Sequence, residues 1–143
     1  MRVHSASIHN DVVLIDNIAS DMTHFLRITH ITQSLSVCFN LTLTELYAPL
    51  LSYVGNSLTF SSNRDLNKIH LPALEQVSWM SLSNTTALQL LLAPNLSCIT
   101  HGLYISNAPQ LQSLGISDSC IASSNMTLVD TPFLGSKPFG VPA

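Results

Sequence analysis

The feature that most constrains this chain of 143 residues is an apolar repeat with a period of roughly 23 residues. The first column of the repeat consists of Ile8, Ile31, Val54, Val77 and Ile99. Two more columns run in step with it, namely Val12, Leu35, Leu58, Met80 and Leu103, and Leu14, Val37, Phe60, Leu82 and Ile105. A fourth column comprises Leu43, Leu66, Leu88 and Leu111, and Pro49, Pro72 and Pro94 recur at the corners. A period of this length, repeated about five times between positions 8 and 121, is typical of solenoid proteins.

Within each row, the residue pattern predicts strands rather than helices. Apolar residues alternate with polar ones, as at Leu58 and Phe60, which is the pattern of a strand with one buried face. The row from Val54 to Leu66 reproduces the leucine-rich-repeat pattern L-x-x-L-x-L-x-x-N-x-L, with one extra residue in each of two gaps. Stacked rows bury a core that no single row could bury. We therefore predict an all-β, leucine-rich-repeat-like, right-handed β-solenoid of about five rows with little helix over residues 1–124, followed by an irregular tail over 125–143.

The composition leaves few charges to solvate such a solenoid. Only 9% of the residues are charged, against about 25% in soluble proteins, and 41 Ser, Thr and Asn residues fill the polar surface. A formal net charge of −3 without a basic cluster is unsuited to a phosphate backbone, so we expect no nucleic-acid partner. No apolar run reaches the roughly 18 residues that a membrane-spanning helix needs, so we expect no transmembrane segment.

An asparagine follows each predicted strand. The column consists of Asn17, Asn40, Asn63, Asn84 and Asn107, which recur with the period of the repeat except for a shorter step between Asn63 and Asn84. Because side-chain amides both donate and accept hydrogen bonds, a stacked column can satisfy the backbone groups of successive turns. We predict a structural asparagine ladder rather than a catalytic role.

Four N-glycosylation sequons indicate passage through the secretory pathway. They begin at Asn40, Asn84, Asn95 and Asn125. Since Asn40 and Asn84 also belong to the predicted ladder, we expect Asn95 and Asn125 to be the better glycosylation sites. The amino terminus lacks the apolar region of a secretory signal, and the carboxyl terminus lacks the hydrophobic tail of a glycosylphosphatidylinositol signal. We therefore expect a fragment of an extracellular protein of the cell surface or cell wall.

Two of the three cysteines occupy equivalent places in the repeat. Cys98 and Cys120 each precede an isoleucine and are separated by one period. Adjacent rows lie about 4.8 Å apart, within the Cα separation that a disulfide accepts. The spacing is therefore consistent with a Cys98–Cys120 disulfide, the alternative being two free, half-buried thiols; Cys38 is then unpaired.

The remaining reactive side chains form no recognisable catalytic or metal-binding constellation. The six histidines show no H-x-x-H spacing, and no C-x-x-C occurs. The acidic residues fall at different phases of the repeat, whereas glycoside chemistry needs converging carboxylates. There is no G-x-S-x-G nucleophile motif either. We expect a non-enzymatic protein without metal or cofactor.

The outward positions of the strands are left as a contact surface. The candidates are Thr59, Trp79, Ser81 and Tyr104. An exposed Trp and Tyr among hydroxyl groups favour contact with a sugar or a protein. The alternative is that Trp79 packs at an edge or corner of the solenoid.

Three segments resemble a known family. L-P-A-L-E-Q-V (71–77), A-P-N-L-S-C-I-T-H-G-L-Y-I-S-N-A-P-Q-L-Q-S-L (93–114) and L-T-F-S-S-N-R-D-L-N-K-I (58–69) resemble the receptor-L-domain-like repeats of fungal cell-wall-organisation proteins. Those proteins are secreted, glycosylated and usually glycosylphosphatidylinositol-anchored leucine-rich solenoids. The resemblance implies a role in wall organisation or surface interaction, with wall polysaccharide or surface proteins as partners. A ligand-binding receptor ectodomain is the alternative function, and a β-helix carbohydrate-active enzyme is a further one.

Overall fold

The computed structural model of the chain describes residues 6–10, 12–15, 27–40, 42–117 and 126–131. Within these ranges the chain is almost entirely strand and loop, so the predicted all-β class with little helix is confirmed. The strands are β1 (Ala6–Ile8), β2 (Val12–Ile15), β3 (Ile28–Ile31), β4 (Leu35–Cys38), β5 (Glu45–Tyr47), β6 (Tyr53–Ser61), β7 (Lys68–His70), β8 (Gln76–Ser83), β9 (Leu90–Ala93), β10 (Cys98–Ser106), β11 (Ser113–Ile116) and β12 (Met126–Val129).

The strands form two parallel sheets, and their connections make the chain a β-solenoid. The longer sheet has the order β1-β3-β6-β8-β10-β12, with β2 paired to β4 and β4 paired to β6. The shorter sheet has the order β11-β9-β7-β5. Each turn passes from a row of the longer sheet to a strand of the shorter sheet and back. The described residues make about four complete turns, and β1, β2 and β12 extend the longer sheet at its two ends.

The apolar repeat is the register of the longer sheet. Ile31 pairs with Ile8 on one side and Val54 on the other, and Val77 pairs with Val54 and Ile99. The columns that contain Leu58 and Phe60 pair in the same way. Leu46, Ile69, Leu91 and Leu114 face them from the shorter sheet as a further buried column. Stacking therefore produces one continuous core between the two sheets.

One strand lies where the sequence predicted an irregular tail. In β12, Met126 pairs with Leu103 and Leu128 pairs with Ile105, so residues 126–129 add a row to the longer sheet. Leu128 follows Ile105 by one period of the repeat and continues its column. The side chains of Met126 and Val129 are exposed, and Leu128 is only partly buried. β12 therefore ends the described part of the longer sheet with a largely exposed row.

A β-bulge explains why one row is a residue shorter than its neighbours. Between Val54 and Ser57, β6 has two residues where β8 has one between Val77 and Trp79. β10 also has two residues, between Ile99 and Gly102, opposite this single residue of β8. An extra residue opposite a single one re-aims the side chains that follow it. Trp79 consequently lies in register with Ser57, which has a small side chain, and with Gly102, which has none.

Candidate functional site

The outward side of the longer sheet carries stacked hydroxyl groups. Thr59 pairs with Ser36 and Ser81, and Ser81 pairs with Tyr104, so three of the four predicted contact residues are consecutive members of one column. The next column along the strands contains three more serines. We call this surface the hydroxyl face; its members are Ser36, Thr59, Ser81, Tyr104 and Thr127, with Ser61, Ser83, Ser106 and Trp79 beside them.

Trp79 lies in the neighbouring column of the hydroxyl face. Its side chain is 40% exposed, although β8 is an interior strand of the sheet. Trp79 is thus an exposed residue of an interior strand, and it directly follows the irregularity in the pairing of β8 with β6 and β10. Tyr104 lies two residues beyond Gly102, the register partner of Trp79, and side chains two residues apart on a strand share a face. The two aromatic side chains therefore share one stretch of surface with Thr59 and Ser81.

The longer sheet is uncharged. None of its strands contains Asp, Glu, Lys or Arg. Polar character comes instead from hydroxyl groups, some of which bond to each other across rows, as Ser57 Oγ does to Ser34 Oγ at 3.0 Å. Each hydroxyl can donate one hydrogen bond and accept two. This surface can therefore exchange hydrogen bonds with a neutral polyhydroxylated partner without desolvating a charge.

The outward side of the shorter sheet has a different chemistry. Lys68 Nζ lies 3.8 Å from Glu45 Oε1, and the rings of Tyr47 and His70 stack with centroids 5.2 Å apart. Tyr47 is 44% exposed, close to the exposure of Trp79. It offers an aromatic control on the opposite side of the solenoid.

The predicted asparagine ladder is in fact two separate columns. One column has positive φ angles and consists of Phe39, Ser62, Asn84, Asn107 and Asp130. The second column follows directly and consists of Asn40, Asn63, Thr85, Ala108 and Thr131. Backbone pairing confirms this register, because Ser62 N donates to Ser83 O and Asn84 N donates to Ser106 O. Asn84 and Asn107 therefore lie one position earlier in their turns than Asn40 and Asn63. This offset accounts for the shorter step between Asn63 and Asn84 in the sequence. Asn17 lies outside the described residues.

In the second column, Asn63 connects two turns through buried hydrogen bonds. Its Nδ2 donates to Val37 O at 2.7 Å. Its Oδ1 accepts from the backbone N and from Nδ2 of Asn40, both at 3.1 Å. Val37 and Asn40 belong to the preceding row, so the Asn63 amide satisfies backbone groups where that strand ends. The role of the Asn63 amide is structural. Among the described turns, this network joins only the row of Asn40 and the row of Asn63.

Thr85 interrupts this network and provides a test of it. Its Oγ1 is buried and has no hydrogen-bond partner among the described residues. Replacing Thr85 with Val keeps the branched shape and removes an unsatisfied hydroxyl, so Thr85→Val should raise the free energy of unfolding by about 1 kcal/mol. Urea denaturation followed by circular dichroism measures the change. The exposed neighbour Thr86→Val should stay within about 0.5 kcal/mol of the parent; a destabilised Thr85→Val would show that the hydroxyl is satisfied.

Three of the four sequons begin at described residues, and these three occupy two environments. Asn40 is buried in the network just described. Asn84 and Asn95 are exposed, and Asn95 Nδ2 donates to Pro72 O at 2.7 Å. The expectation that Asn84 would be shielded in a ladder is therefore wrong, because its column lies at the surface. Asn125 lies outside the described residues.

The cysteines and histidines add no reactive centre to the described part of the chain. Cys38 and Cys98 are half-buried, and neither forms a disulfide with another described residue. Cys120, with which Cys98 is predicted either to pair or to remain a free thiol, lies outside the described residues. Within residues 6–10, 12–15, 27–40, 42–117 and 126–131, no three His, Cys, Asp or Glu side chains converge on a possible metal position.

Several members of the hydroxyl face escaped sequence reasoning. Ser36, Ser61, Ser83, Ser106 and Thr127 are outward neighbours of the predicted residues, and the period of the repeat would have found them. In the part of the chain that the structure describes, no helix has the length and apolar character needed to cross a membrane. No protein-family model, curated protein or solved structure matches this chain.

Proposed function

We propose that this chain is a non-enzymatic extracellular protein of the cell surface or cell wall, and that its hydroxyl face contacts a neutral polysaccharide. The observation that carries the proposal is the placement of Trp79 and Tyr104 among stacked Ser and Thr hydroxyl groups on interior strands. The resemblance of the repeats to those of fungal wall-organisation proteins agrees with it.

The chemistry of the hydroxyl face suits a sugar polymer. Trp and Tyr have broad apolar rings with a polar tip, so they can cover the C–H face of a sugar while the Trp Nε1–H donates a hydrogen bond and the Tyr hydroxyl donates or accepts one. The surrounding Ser and Thr hydroxyl groups can pair with sugar hydroxyls in either direction. Five rows of the column from Ser36 to Thr127 span roughly 20 Å at the spacing of neighbouring strands. An extended surface of this kind fits a polymer better than a small ligand, which favours a concave pocket.

The charge pattern selects among polysaccharides. An acidic polymer would be attracted by basic side chains, and a basic polymer by acidic ones. The strands of the longer sheet contain neither. The polymers that fit are therefore neutral polysaccharides rather than uronates or sulfated polymers.

A pull-down with insoluble polysaccharides tests this function. We expect the parent protein to sediment with a neutral glucan. The Trp79→Ala variant should bind about thirtyfold more weakly, since a central aromatic contact contributes about 2 kcal/mol. Tyr104→Ala should weaken binding less, because Tyr104 is half-buried in its column. The fraction of protein in the pellet is measured against polysaccharide concentration.

The matched control is Tyr47→Ala, which removes an aromatic side chain of similar exposure from the shorter sheet. It should bind as the parent does. Equal retention of the parent and the Trp79→Ala variant, or equal loss with Tyr47→Ala, would refute a contact through the hydroxyl face. Thermal unfolding of each variant separates lost binding from lost folding.

A further inference from the structure

We propose that Asn84 carries an N-linked glycan in the folded protein and that Asn40 does not, although both begin a sequon. The proposal rests on the extracellular location proposed above, because N-glycosylation takes place in the secretory pathway. It separates two positions that the sequence treats alike, and it follows from which amide hydrogens are already engaged.

The turn that contains Asn84 is open to a transferase and to an attached sugar. Asn84 follows the last residue of β8 with a φ of 52°, and both Asn84 and Thr86 are exposed. Asn84 Oδ1 accepts a hydrogen bond from Asn107 Nδ2 at 2.7 Å. Its own Nδ2 donates to none of the described residues. The atom that a glycan would modify is therefore the one that the fold leaves unused.

The modification itself is compatible with the contact to Asn107. An Nδ2–H bond of Asn84 is replaced by a bond from Nδ2 to the anomeric carbon of a lipid-linked glycosyl diphosphate. The lipid diphosphate leaves and the amide proton passes to a base of the transferase. The product is still an amide with a free carbonyl oxygen, so Asn84 Oδ1 can continue to accept from Asn107 Nδ2.

Asn40 presents the opposite situation. Its side chain is 1% exposed. Nδ2 of Asn40 donates to Cys38 O and to Asn63 Oδ1, each at 3.1 Å, so both amide hydrogens are used. A sugar at this atom would remove one of these bonds and place a bulky polar group inside the turn, at the desolvation cost of an unpaired buried group. A chain modified at Asn40 would not reach the described fold.

Peptide mapping tests the proposal. The full chain is fused to a secretory leader and expressed in a host that N-glycosylates, and the soluble product is treated with an amidase that leaves aspartate at each glycosylated asparagine. We expect aspartate at position 84 in most molecules and unchanged asparagine at position 40. In intact-mass spectra, Asn84→Gln and Thr86→Ala should each lose one glycan, whereas Thr42→Ala, which destroys the Asn40 sequon, should lose none.

Soluble, cooperatively unfolding protein with unmodified Asn84, or with a glycan at Asn40, would overturn the proposal. If the protein is retained in the cell, the same mapping is applied to the retained material in its detergent-soluble, protease-resistant fraction, and the same two results decide. Failure here is distinguishable from failure of polysaccharide binding, because the pull-down uses unglycosylated protein from a bacterial host.

Discussion

Asn63→Ala is expected to lower the free energy of unfolding by about 3–4 kcal/mol, because each buried group left unpaired costs about 1–3 kcal/mol. The Asn63 side chain is fully buried and makes three hydrogen bonds to the preceding row. Alanine would leave Val37 O and the amide groups of Asn40 without this partner in a turn that water does not reach. Urea unfolding monitored by circular dichroism gives the change, and the transition should keep its slope if the fold is unchanged.

Asn107→Ala is the matched control, since the residue type is the same and the turn is the equivalent one two rows away. Asn107 is exposed, and its side chain donates to the exposed Asn84 at 2.7 Å. Water can replace that bond, so the expected loss is below about 1 kcal/mol. Similar losses for Asn63→Ala and Asn107→Ala would mean that the two columns are energetically equivalent, which contradicts the difference in burial.

The core of the solenoid could be predicted from the sequence because buried positions require apolar residue types. An inward position such as Val54 or Leu58 must be apolar in every row, so its column repeats visibly along the chain. The register of the parallel strands then follows from the period, since a shift by one residue would turn the apolar side chains outward.

The turns could not be predicted as well, because their requirement is conformational. The position with positive φ is filled by Phe39 in one row and by Ser62, Asn84, Asn107 or Asp130 in the others. Asn and Asp accept this conformation readily, whereas Phe adopts it at a cost. No residue type therefore marks the column, and asparagines from two different columns looked like one ladder.

The hydroxyl face was predictable in part. Alternation along the strands placed Thr59, Ser81 and Tyr104 outward, and the structure brings them into one column. The position of Trp79 opposite Ser57 depends on the missing bulge residue in β8. The apolar columns show that the row is one residue shorter between Val77 and Met80, but only the strand pairing shows which residues lie beside Trp79.

The second large loss of stability is expected from a substitution at Gly55, which lies in the bulge of β6. A Cβ at position 55 would overlap the carbonyl oxygen of Thr32 and lie 2.9 Å from its carbonyl carbon. These are backbone atoms of the neighbouring row, and that row is held by the bond from Thr32 N to Ile8 O at 2.9 Å. Because neither side can move without breaking the pairing of rows, we expect Gly55→Ala to cost about 3 kcal/mol, at the upper end of overpacking effects.

Gly115→Ala separates this backbone clash from the general effect of adding a methyl group to a strand glycine. A Cβ at position 115 would lie 2.5 Å from Leu92 Cδ2, the end of a half-buried side chain that can rotate away. The expected change is within about 1 kcal/mol, since alanine also restricts the unfolded chain. Thermal unfolding of both variants under one set of conditions makes the comparison. A Gly55→Ala variant as stable as Gly115→Ala would show that the row containing Thr32 can move away from β6 at this point, which contradicts the close approach of the two backbones.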